Sequence, residues 1–416
     1  MEFQDIIEQS KKAKHMTGPL VQLTSDEKNR IITRMAEVLM EDQEVILAAN
    51  QVDLDASEAN GLTNALIDRL KLCPSRIEGM SESLRVIVSL PDPVGRILES
   101  LTPKNGLKID KVSVPIGVIA IIYESRPNVT ADVAGLCIKS GNAVILKGGR
   151  EAFFSNKAIV ASLHRAIKDC GHDVDMVQLI QHTDREAVKV LLQQNECIDL
   201  IIPRGGVGLI KTVVEISTIP VLKHLNGVCH TYIDLNADLD KAQNIVMNAK
   251  CQRPGVCNAM ETLLVHADIS EDFLKALAPL MLQENVKLIG CEKTRKILVD
   301  VQVATEKDWS TEYLDLILSI RIVDDVKAAI DHINRYGSGH SDAIVTEKKD
   351  AAATFLKFVD SAAVYHNVST RFTDGAAFGK GAEMGISTDK LHARGPVGLE
   401  ELTTYKYNIY GNGEIR

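Results

Sequence analysis

The apolar residues in the first part of the chain recur at helical spacing. Between residues 5 and 90 they fall three or four positions apart, as at Ile31, Met35 and Leu39. This period places apolar side chains on one face of a helix. The segment is therefore predicted to form several packed helices.

Two short segments alternate apolar and polar residues instead. The first, 107–114, follows a break in the helical pattern at 91–103, and the second is 402–410. Alternation with a period of two is typical of a strand that exposes one face. We predict that the two segments pair with each other and serve assembly.

Between residues 114 and 221 short apolar runs alternate with helical patterns. Such an alternation predicts a parallel, doubly wound sheet. A second run of this kind starts near Thr231 and continues to residue 365. The predicted fold class is α/β, with two doubly wound domains and the alternating β arm. The strands expected in the first domain are 118–122, 143–146, 177–180 and 200–202, and those expected in the second include 316–322 and 362–365.

Composition narrows the class of protein. The chain has 416 residues, 45% of them hydrophobic, so two domains with sizeable cores are expected. A formal net charge of −9 argues against a nucleic-acid binder, which usually carries a basic excess. A small-molecule partner is the better hypothesis.

Cysteine usage and hydropathy bear on the compartment. Eight cysteines are scattered without a CxxC pair, which disfavours a zinc or thioredoxin-type site and fits reduced thiols. The longest apolar stretch, 114–123, is interrupted by Pro115 and Gly117 and is too short to cross a bilayer. We therefore expect a cytoplasmic protein with neither a metal site nor membrane contact.

Three loops follow predicted strands of the first domain at their carboxyl ends, where doubly wound sheets bind ligands. In one, Lys147 and Arg150 flank Gly148, and two cations beside glycine suit phosphate groups. In another, Gly205 and Gly206 precede a helical pattern, so their backbone could approach a pyrophosphate. A solvated loop and an ordinary turn are the alternatives.

Other segments carry candidate chemistry. Cys257 lies on a Pro/Gly loop before the apolar run 261–265, which makes it a candidate nucleophile, although most cysteines are small buried hydrophobes. Asn128 could donate its amide to a developing oxyanion or belong to a Pro-Asn turn. His340 is either a ligand or base, or a turn histidine. The glycine-rich region 371–383 could hold substrate or be mobile surface.

Taken together, these segments resemble the aldehyde dehydrogenase superfamily over essentially the whole chain. The resemblance implies a cofactor domain of residues 1–100 and 115–228, a catalytic domain of residues 229–397, and an oligomerisation arm of residues 101–114 and 398–416, working as a homodimer or homotetramer. The stretches that carry it are 114–118, 123–130, 146–149, 253–259, 312–315, 337–342 and 392–399.

Within the superfamily these stretches are most similar to the members that reduce an acyl phosphate in proline biosynthesis. The resemblance implies reduction of L-glutamyl 5-phosphate by NADPH to L-glutamate 5-semialdehyde and phosphate, through a thioester on Cys257. Asn128 matches the oxyanion-hole asparagine, and Glu312 matches the glutamate that binds the nicotinamide ribose. The resemblance also implies a separate glutamate 5-kinase, which is a possible transient partner.

Two departures from the oxidising aldehyde dehydrogenases bear on that activity. Their Glu-Leu-Gly-Gly segment, whose glutamate activates water, corresponds here to 224–227, which contains no carboxylate; a thioester would then survive until hydride reaches it. Arg150 stands where NAD-preferring relatives place an acid. Arginine there would pair with a 2′-phosphate, with Lys147 beside it, so NADPH is expected.

The substrate carries a phosphate and a carboxylate, and bidentate guanidinium groups suit both. Arg126, Arg253 and Arg371 are the candidates for binding them, with the division between the two anions left open. A hydrolytic aldehyde dehydrogenase and a non-catalytic nucleotide-binding or scaffold protein are the competing hypotheses.

Overall fold

The computed structural model describes residues 3–415, apart from the side chains of residues 64 and 65. The helices are α1 Gln4–Gln22, α2 Ser25–Glu41, α3 Gln43–Ala59, α4 Asn64–Leu70, α5 Pro74–Ser89, α6 Asn128–Lys139, α7 Phe153–Asp169, α8 Arg185–Leu191, α9 Val207–Ile216, α10 Leu239–Cys251, α11 Ser270–Gln283, α12 Glu292–Ile297, α13 Val326–Tyr336 and α14 Lys349–Phe358. The strands are β1 Ile97–Leu101, β2 Lys108–Pro115, β3 Val118–Tyr123, β4 Ala143–Gly148, β5 Val177–Leu179, β6 Leu200–Arg204, β7 Cys229–Ile233, β8 Met260–His266, β9 Lys287–Gly290, β10 Gln302–Val303, β11 Ile317–Val323, β12 Ser341–Val345, β13 Ala363–His366, β14 Gly385–Ser387, β15 Gly395–Val397 and β16 Thr403–Tyr410.

The first domain is built on a parallel sheet in the order β5-β4-β3-β6. All six residues of β3 are buried. Because neighbouring side chains of a strand point to opposite faces, both faces of this sheet are covered. The chain steps from β3 outward to β5 and returns to β6 on the other side of β3, so the switch point of the topology lies between β3 and β6. Ligands of doubly wound sheets bind at such a point.

The second domain contains a parallel sheet in the order β10-β9-β11-β8-β7-β12-β13. The predicted α/β class, with two parallel sheets, is thus confirmed. Strands β9 and β12 were not expected from the sequence. The loop that carries Cys257 leads into the amino end of β8, at the centre of this sheet.

The arm is a three-stranded antiparallel sheet in the order β1-β2-β16. The predicted pairing of the two alternating segments is confirmed, because β2 and β16 run side by side over their full length. Strand β1 also belongs to this sheet, although the sequence division places most of its residues in the cofactor domain. Apolar side chains of the arm are exposed, among them Ile97, Tyr407 and Ile409.

After the last strand of the second sheet, the chain returns to the first domain. Met384, Val397 and Leu402 belong to the core that also contains β3 and the N-terminal helices. Residues 384–402 thus pack on the cofactor domain, whereas the sequence division places those up to 397 in the catalytic domain. The return brings the loop before β14 to the carboxyl edge of the first sheet.

Within residues 3–415 no helix combines the length and the apolar character needed to cross a membrane.

Candidate active site

The loops predicted to bind ligands meet at one edge of the first sheet. Tyr123 at the end of β3 lies beside Gly148 of β4 on one side and Arg204 of β6 on the other. The amide of Glu124 donates to the carbonyl of Arg204 at 3.1 Å. The ends of β4, β3 and β6 and the loops that follow them therefore lie side by side at this edge.

The glycine loop after β4 is shaped for close approach. A Cβ added at Gly148 would lie 2.1 Å from the side-chain amide nitrogen of Asn156, so any larger residue there would require Asn156 to move. Lys147 is 5% exposed and donates from Nζ to the carbonyl of Gly148 at 2.8 Å, and burial lowers the pKa of its ammonium group. Arg150 is exposed and forms no ion pair with any residue in the described part of the chain.

The predicted pyrophosphate loop is occupied by a carboxylate of the protein itself. Gly206 caps the N-terminus of α9, and its amide donates to Oε2 of Glu124 at 2.7 Å. The partial positive charge of a helix N-terminus attracts an anion. Glu124, which sequence reasoning missed, thus holds the place that a phosphate of a dinucleotide would take between Gly205 and α9.

The candidate nucleophile sits in a tightly packed loop. The carbonyl of Cys257 accepts a hydrogen bond from the thiol of Cys229 at 3.2 Å. A Cβ added at Gly227 would lie 1.9 Å from that carbonyl oxygen, and the amide of Gly227 donates to Oε1 of Glu312 at 2.8 Å. The 224–227 segment therefore lies between Cys257 and Glu312, and any side chain at Gly227 would displace the loop.

The thiol is protonated in this environment. Burial raises the pKa of Cys257 to about 11; Arg204 and Arg126 oppose the increase, whereas Glu383 and Glu312 add to it. The nucleophile is therefore half-buried and lies among charges of both signs.

A cavity of about 150 Å³ adjoins this group of charges. Burial and the neighbouring guanidinium of Arg204 lower the pKa of Arg126 to about 10. The side-chain amide of Asn128 donates to Oδ2 of Asp132 at 3.3 Å. The cavity is lined by Arg126, Asn128, Val129, Asp132, Val133, Arg204, Glu383 and Met384.

Only one of the three predicted substrate arginines, Arg126, lines the cavity. Arg253 is exposed on the Cys257 loop, and Arg371 donates from Nε to Oε1 of Gln252 at 2.8 Å. Burial, followed by the charge of Arg253, lowers the pKa of Arg371. Arg204 was not predicted, although its place directly after an apolar run, at the ligand-binding edge, was a usable signal.

The two histidines near the site differ from what their loops suggest. His340 is fully buried, Nδ1 lies 2.8 Å from the hydroxyl of Ser341, and burial lowers its pKa to about 3. It is a buried, neutral histidine on the bend that precedes β12. His224 has Nδ1 2.8 Å from the carbonyl of Ile386, and burial lowers its pKa as well.

A doubly wound sheet with its ligand edge turned toward a loop cysteine defines a class of dehydrogenases. The model of the aldehyde dehydrogenase family matches residues 1–289, and the chain belongs to that family. The relatives narrow the assignment. The gamma-glutamyl phosphate reductase of Moorella thermoacetica is 56% identical over 97% of this chain and 97% of its own; that of Caldanaerobacter subterraneus is 53% identical over 98% of both chains.

Structural comparison gives the same result. The crystal structure of gamma-glutamyl phosphate reductase from Thermotoga maritima has a TM-score of 0.97 and 47% identity, covering 99% of this chain and 100% of its own. Within the aldehyde dehydrogenase family this chain therefore belongs to the gamma-glutamyl phosphate reductases, which are oxidoreductases.

Proposed function

We propose that the chain reduces L-glutamyl 5-phosphate to L-glutamate 5-semialdehyde and phosphate with NADPH, as the second step of proline biosynthesis from glutamate. The observation that carries the proposal is a half-buried cysteine, Cys257, which feels the charges of a cavity that Arg126 and Arg204 line at the ligand edge of a doubly wound sheet. The names of the relatives support the reaction. The free thiols of the chain suit a cytoplasmic location.

The residues at the sheet edge fit a nicotinamide dinucleotide. The backbone at Gly148 carries no side chain that would keep a ligand away, whereas the N-terminus of α9 behind Gly205 and Gly206 holds the carboxylate of Glu124, which a cofactor phosphate would have to displace. Lys147 and Arg150 would hold the adenosine side of the cofactor, and Arg150 would pair with a 2′-phosphate. Glu312 would hold the nicotinamide ribose. When bound, the cofactor supplies hydride to the reacting carbonyl.

The thiol of Cys257 performs the acyl transfer. Its sulfur attacks the acyl carbon, the bond from that carbon to the phosphate oxygen breaks, and the thiol proton leaves with the departing phosphate. A protonated thiol, as the raised pKa of Cys257 indicates, is the form that this proton balance needs. After hydride addition the carbon–sulfur bond breaks, which releases the semialdehyde and returns a thiolate that takes a proton from water.

Asn128 supplies the hydrogen bond to the developing oxyanion. Its amide group has two N–H donors, and one of them points to Asp132 at 3.3 Å. The second remains for the substrate oxygen. A single donor of this kind contributes roughly 100- to 1,000-fold to the rate in acyl-transfer enzymes.

Arginines bind the two anions of the substrate. Arg126 belongs to the cavity wall, and Arg253 and Arg371 lie on the loops around Cys257. We assign phosphate and carboxylate binding to this group together with Arg204, without dividing the anions among them.

The arm supports assembly. Tyr405, Tyr407 and Ile409 of β16 are exposed on a sheet whose apolar surface has no cover within the described chain. Exposed strand edges and apolar patches of this kind favour pairing with another subunit. We therefore propose a homodimer or homotetramer. The acyl phosphate would come from a separate glutamate 5-kinase, by transient contact or through solution.

The test uses the reverse reaction, in which L-glutamate 5-semialdehyde, phosphate and NADP yield NADPH. Cys257→Ala should abolish NADPH formation, whereas Cys73→Ala, at a half-buried cysteine of the N-terminal domain, should keep it. Full activity of Cys257→Ala would exclude the thioester mechanism.

Omitting phosphate separates reduction from hydrolysis. The close contact of His224 Nδ1 with a carbonyl oxygen makes Nδ1 the donor and leaves Nε2 as an acceptor near the site, so phosphate-free turnover must be measured directly. We expect it to be negligible. Undiminished turnover without phosphate would assign the chain to the hydrolytic aldehyde dehydrogenases.

A further inference from the structure

The substrate cavity contains carboxylates as well as arginines. Asp132 and Glu383 line it together with Arg126 and Arg204. Carboxylates next to a phosphate and a carboxylate of the substrate would repel both, so anion binding alone does not account for them. The substrate of the proposed function also carries one positive group, the α-ammonium, and the inference below rests on that function.

Asp132 has an unused acceptor. Its Oδ2 accepts from Asn128, but Oδ1 is buried and has no hydrogen-bond partner within the described residues. Burial raises the pKa of this carboxyl, whereas the nearby Ser83 hydroxyl, the hydrogen bond from Asn128 and the charge of Arg204 oppose the increase; the Ser83 hydroxyl is close to the carboxyl but does not meet the geometry of a hydrogen bond. A buried polar atom without a partner is costly. Oδ1 of Asp132 could therefore accept a hydrogen bond from a ligand.

The carboxylate of Glu383, in contrast, already accepts a hydrogen bond from the protein. Its Oε2 accepts from the amide of Gly375 at 2.9 Å, and after burial the charge of Arg204 has the largest effect on its pKa. One carboxylate oxygen is thus held by the backbone of the loop before β14, and the group also feels the charge of Arg204 at the end of β6. Glu383 therefore serves as the comparison residue for Asp132 in the same cavity.

The position of Asp132 relative to Asn128 suits the substrate. The two residues are four apart on α6, and such residues face the same side of a helix with Cβ atoms about 5 to 6 Å apart. Three carbon atoms separate the reacting carbonyl of the substrate from its nitrogen, which spans a similar distance. A carbonyl held at Asn128 would thus leave the ammonium within reach of Asp132.

We propose that Asp132 binds the α-ammonium group of the substrate and so determines specificity for an amino acid chain over the same chain without its amino group. The residue contacts substrate and not the reacting bond, so its contribution appears in discrimination between substrates. Asp132 also contacts Asn128, and a test must separate these two roles.

The experiment compares two aldehydes in the reverse reaction with NADP and phosphate. One is L-glutamate 5-semialdehyde, and the other is glutarate semialdehyde, which has the same chain and carboxylate but no amino group. The wild type should prefer the first in kcat/KM on the order of 10- to 100-fold, the value of a hydrogen bond to a charged group. Asp132→Asn should bring this ratio close to one.

A positioning role through Asn128 would lower kcat/KM for both aldehydes equally and leave the ratio unchanged, which would overturn the proposal. Glu383→Gln should keep the wild-type ratio; collapse of the ratio in this variant alone would move the assignment to Glu383. Asp132→Ser replaces Asp132→Asn if the latter does not fold.

The substrate preference of the wild-type enzyme also tests the proposal. No preference for the amino substrate, with phosphate-dependent turnover of both aldehydes, would overturn the assignment of Asp132 and leave the proposed function standing. Absence of turnover with either aldehyde would reject the proposed function, and the assignment with it.

Discussion

The protonation state of Cys257 leads to a quantitative prediction about its reactivity. Burial raises the pKa of the thiol from 9.0 to about 11. Each pKa unit corresponds to a tenfold change in the thiolate fraction at neutral pH, so this fraction falls on the order of 100-fold. Because the thiolate is the nucleophile, alkylation of Cys257 in the ligand-free protein should be slow and strongly dependent on pH.

The assay is alkylation by iodoacetamide in excess, followed by quantification of each cysteine-containing peptide. The rate at Cys257 should rise close to tenfold per pH unit from about pH 7 to about pH 10 without a plateau. Cys73 is the internal control, because hydrogen bonds from Ser75 and the amide of Arg76 lower the pKa of its thiol, so its rate should level off at lower pH. A plateau for Cys257 below about pH 9 would refute the reasoning.

Two charge variants test the cause. Among neighbouring charges, Arg204 lowers the pKa of Cys257 most and Glu383 raises it most. At about pH 9, where Glu383 with its pKa of about 7 is ionised, Arg204→Met should slow alkylation and Glu383→Gln should accelerate it, each roughly tenfold. If both variants moved the rate in the same direction, the charges would not be what sets this pKa.

Three further predictions concern packing, stability and cofactor choice. Gly227→Ala should lower kcat on the order of 100-fold with the fold retained by circular dichroism, because the added methyl would meet the Cys257 carbonyl at 1.9 Å; unchanged kcat would contradict the close contact. Lys250→Met should lower the free energy of unfolding in urea by about 3 to 5 kcal/mol, because it leaves the fully buried Glu261 without the ammonium group that lies 2.7 Å from it. The double variant Lys250→Met with Glu261→Leu should recover much of this loss. Equal stability of the single variant and wild type would disprove the prediction. Arg150→Ala should raise KM for NADPH on the order of 10-fold and leave KM for NADH nearly unchanged; an equal effect on both would remove Arg150 from the 2′-phosphate.

The fold could be predicted where burial and sequence period agree. The strands β3 and β4 are continuous apolar runs, and both sides of the arm alternate, so their places follow from the sequence. Strand β12 was missed because it begins with Ser341 and Asp342, which suggest a turn. In the fold these polar residues are buried and paired: Asp342 accepts from the amide of His230 at 2.8 Å. Such long-range pairing leaves no local signal.

The part of the site that directly follows a predictable strand could also be predicted. Arg126 and Asn128 follow a recognisable strand, and their loop lies on the cavity as its position suggested. Glu383 reaches the same cavity from a loop far along the chain, where the backbone of Met384 accepts a hydrogen bond from Arg204. The sequence positions of residues 204 and 384 do not predict this contact, because it forms only when the chain returns to the first domain.

The charges around the thiol also bear on how the thiol is protected before the substrate arrives. Arg126 and Arg204 favour the thiolate of Cys257, but burial outweighs them, and the pKa stays near 11. A phosphate bound at these arginines would cancel part of their charge and make the thiol still harder to ionise. Ionisation in advance is thus disfavoured, which agrees with the proposed transfer of the thiol proton to the departing phosphate during attack. A thiol kept protonated is a poor target for oxidants and other electrophiles, so the raised pKa protects Cys257 until the substrate arrives.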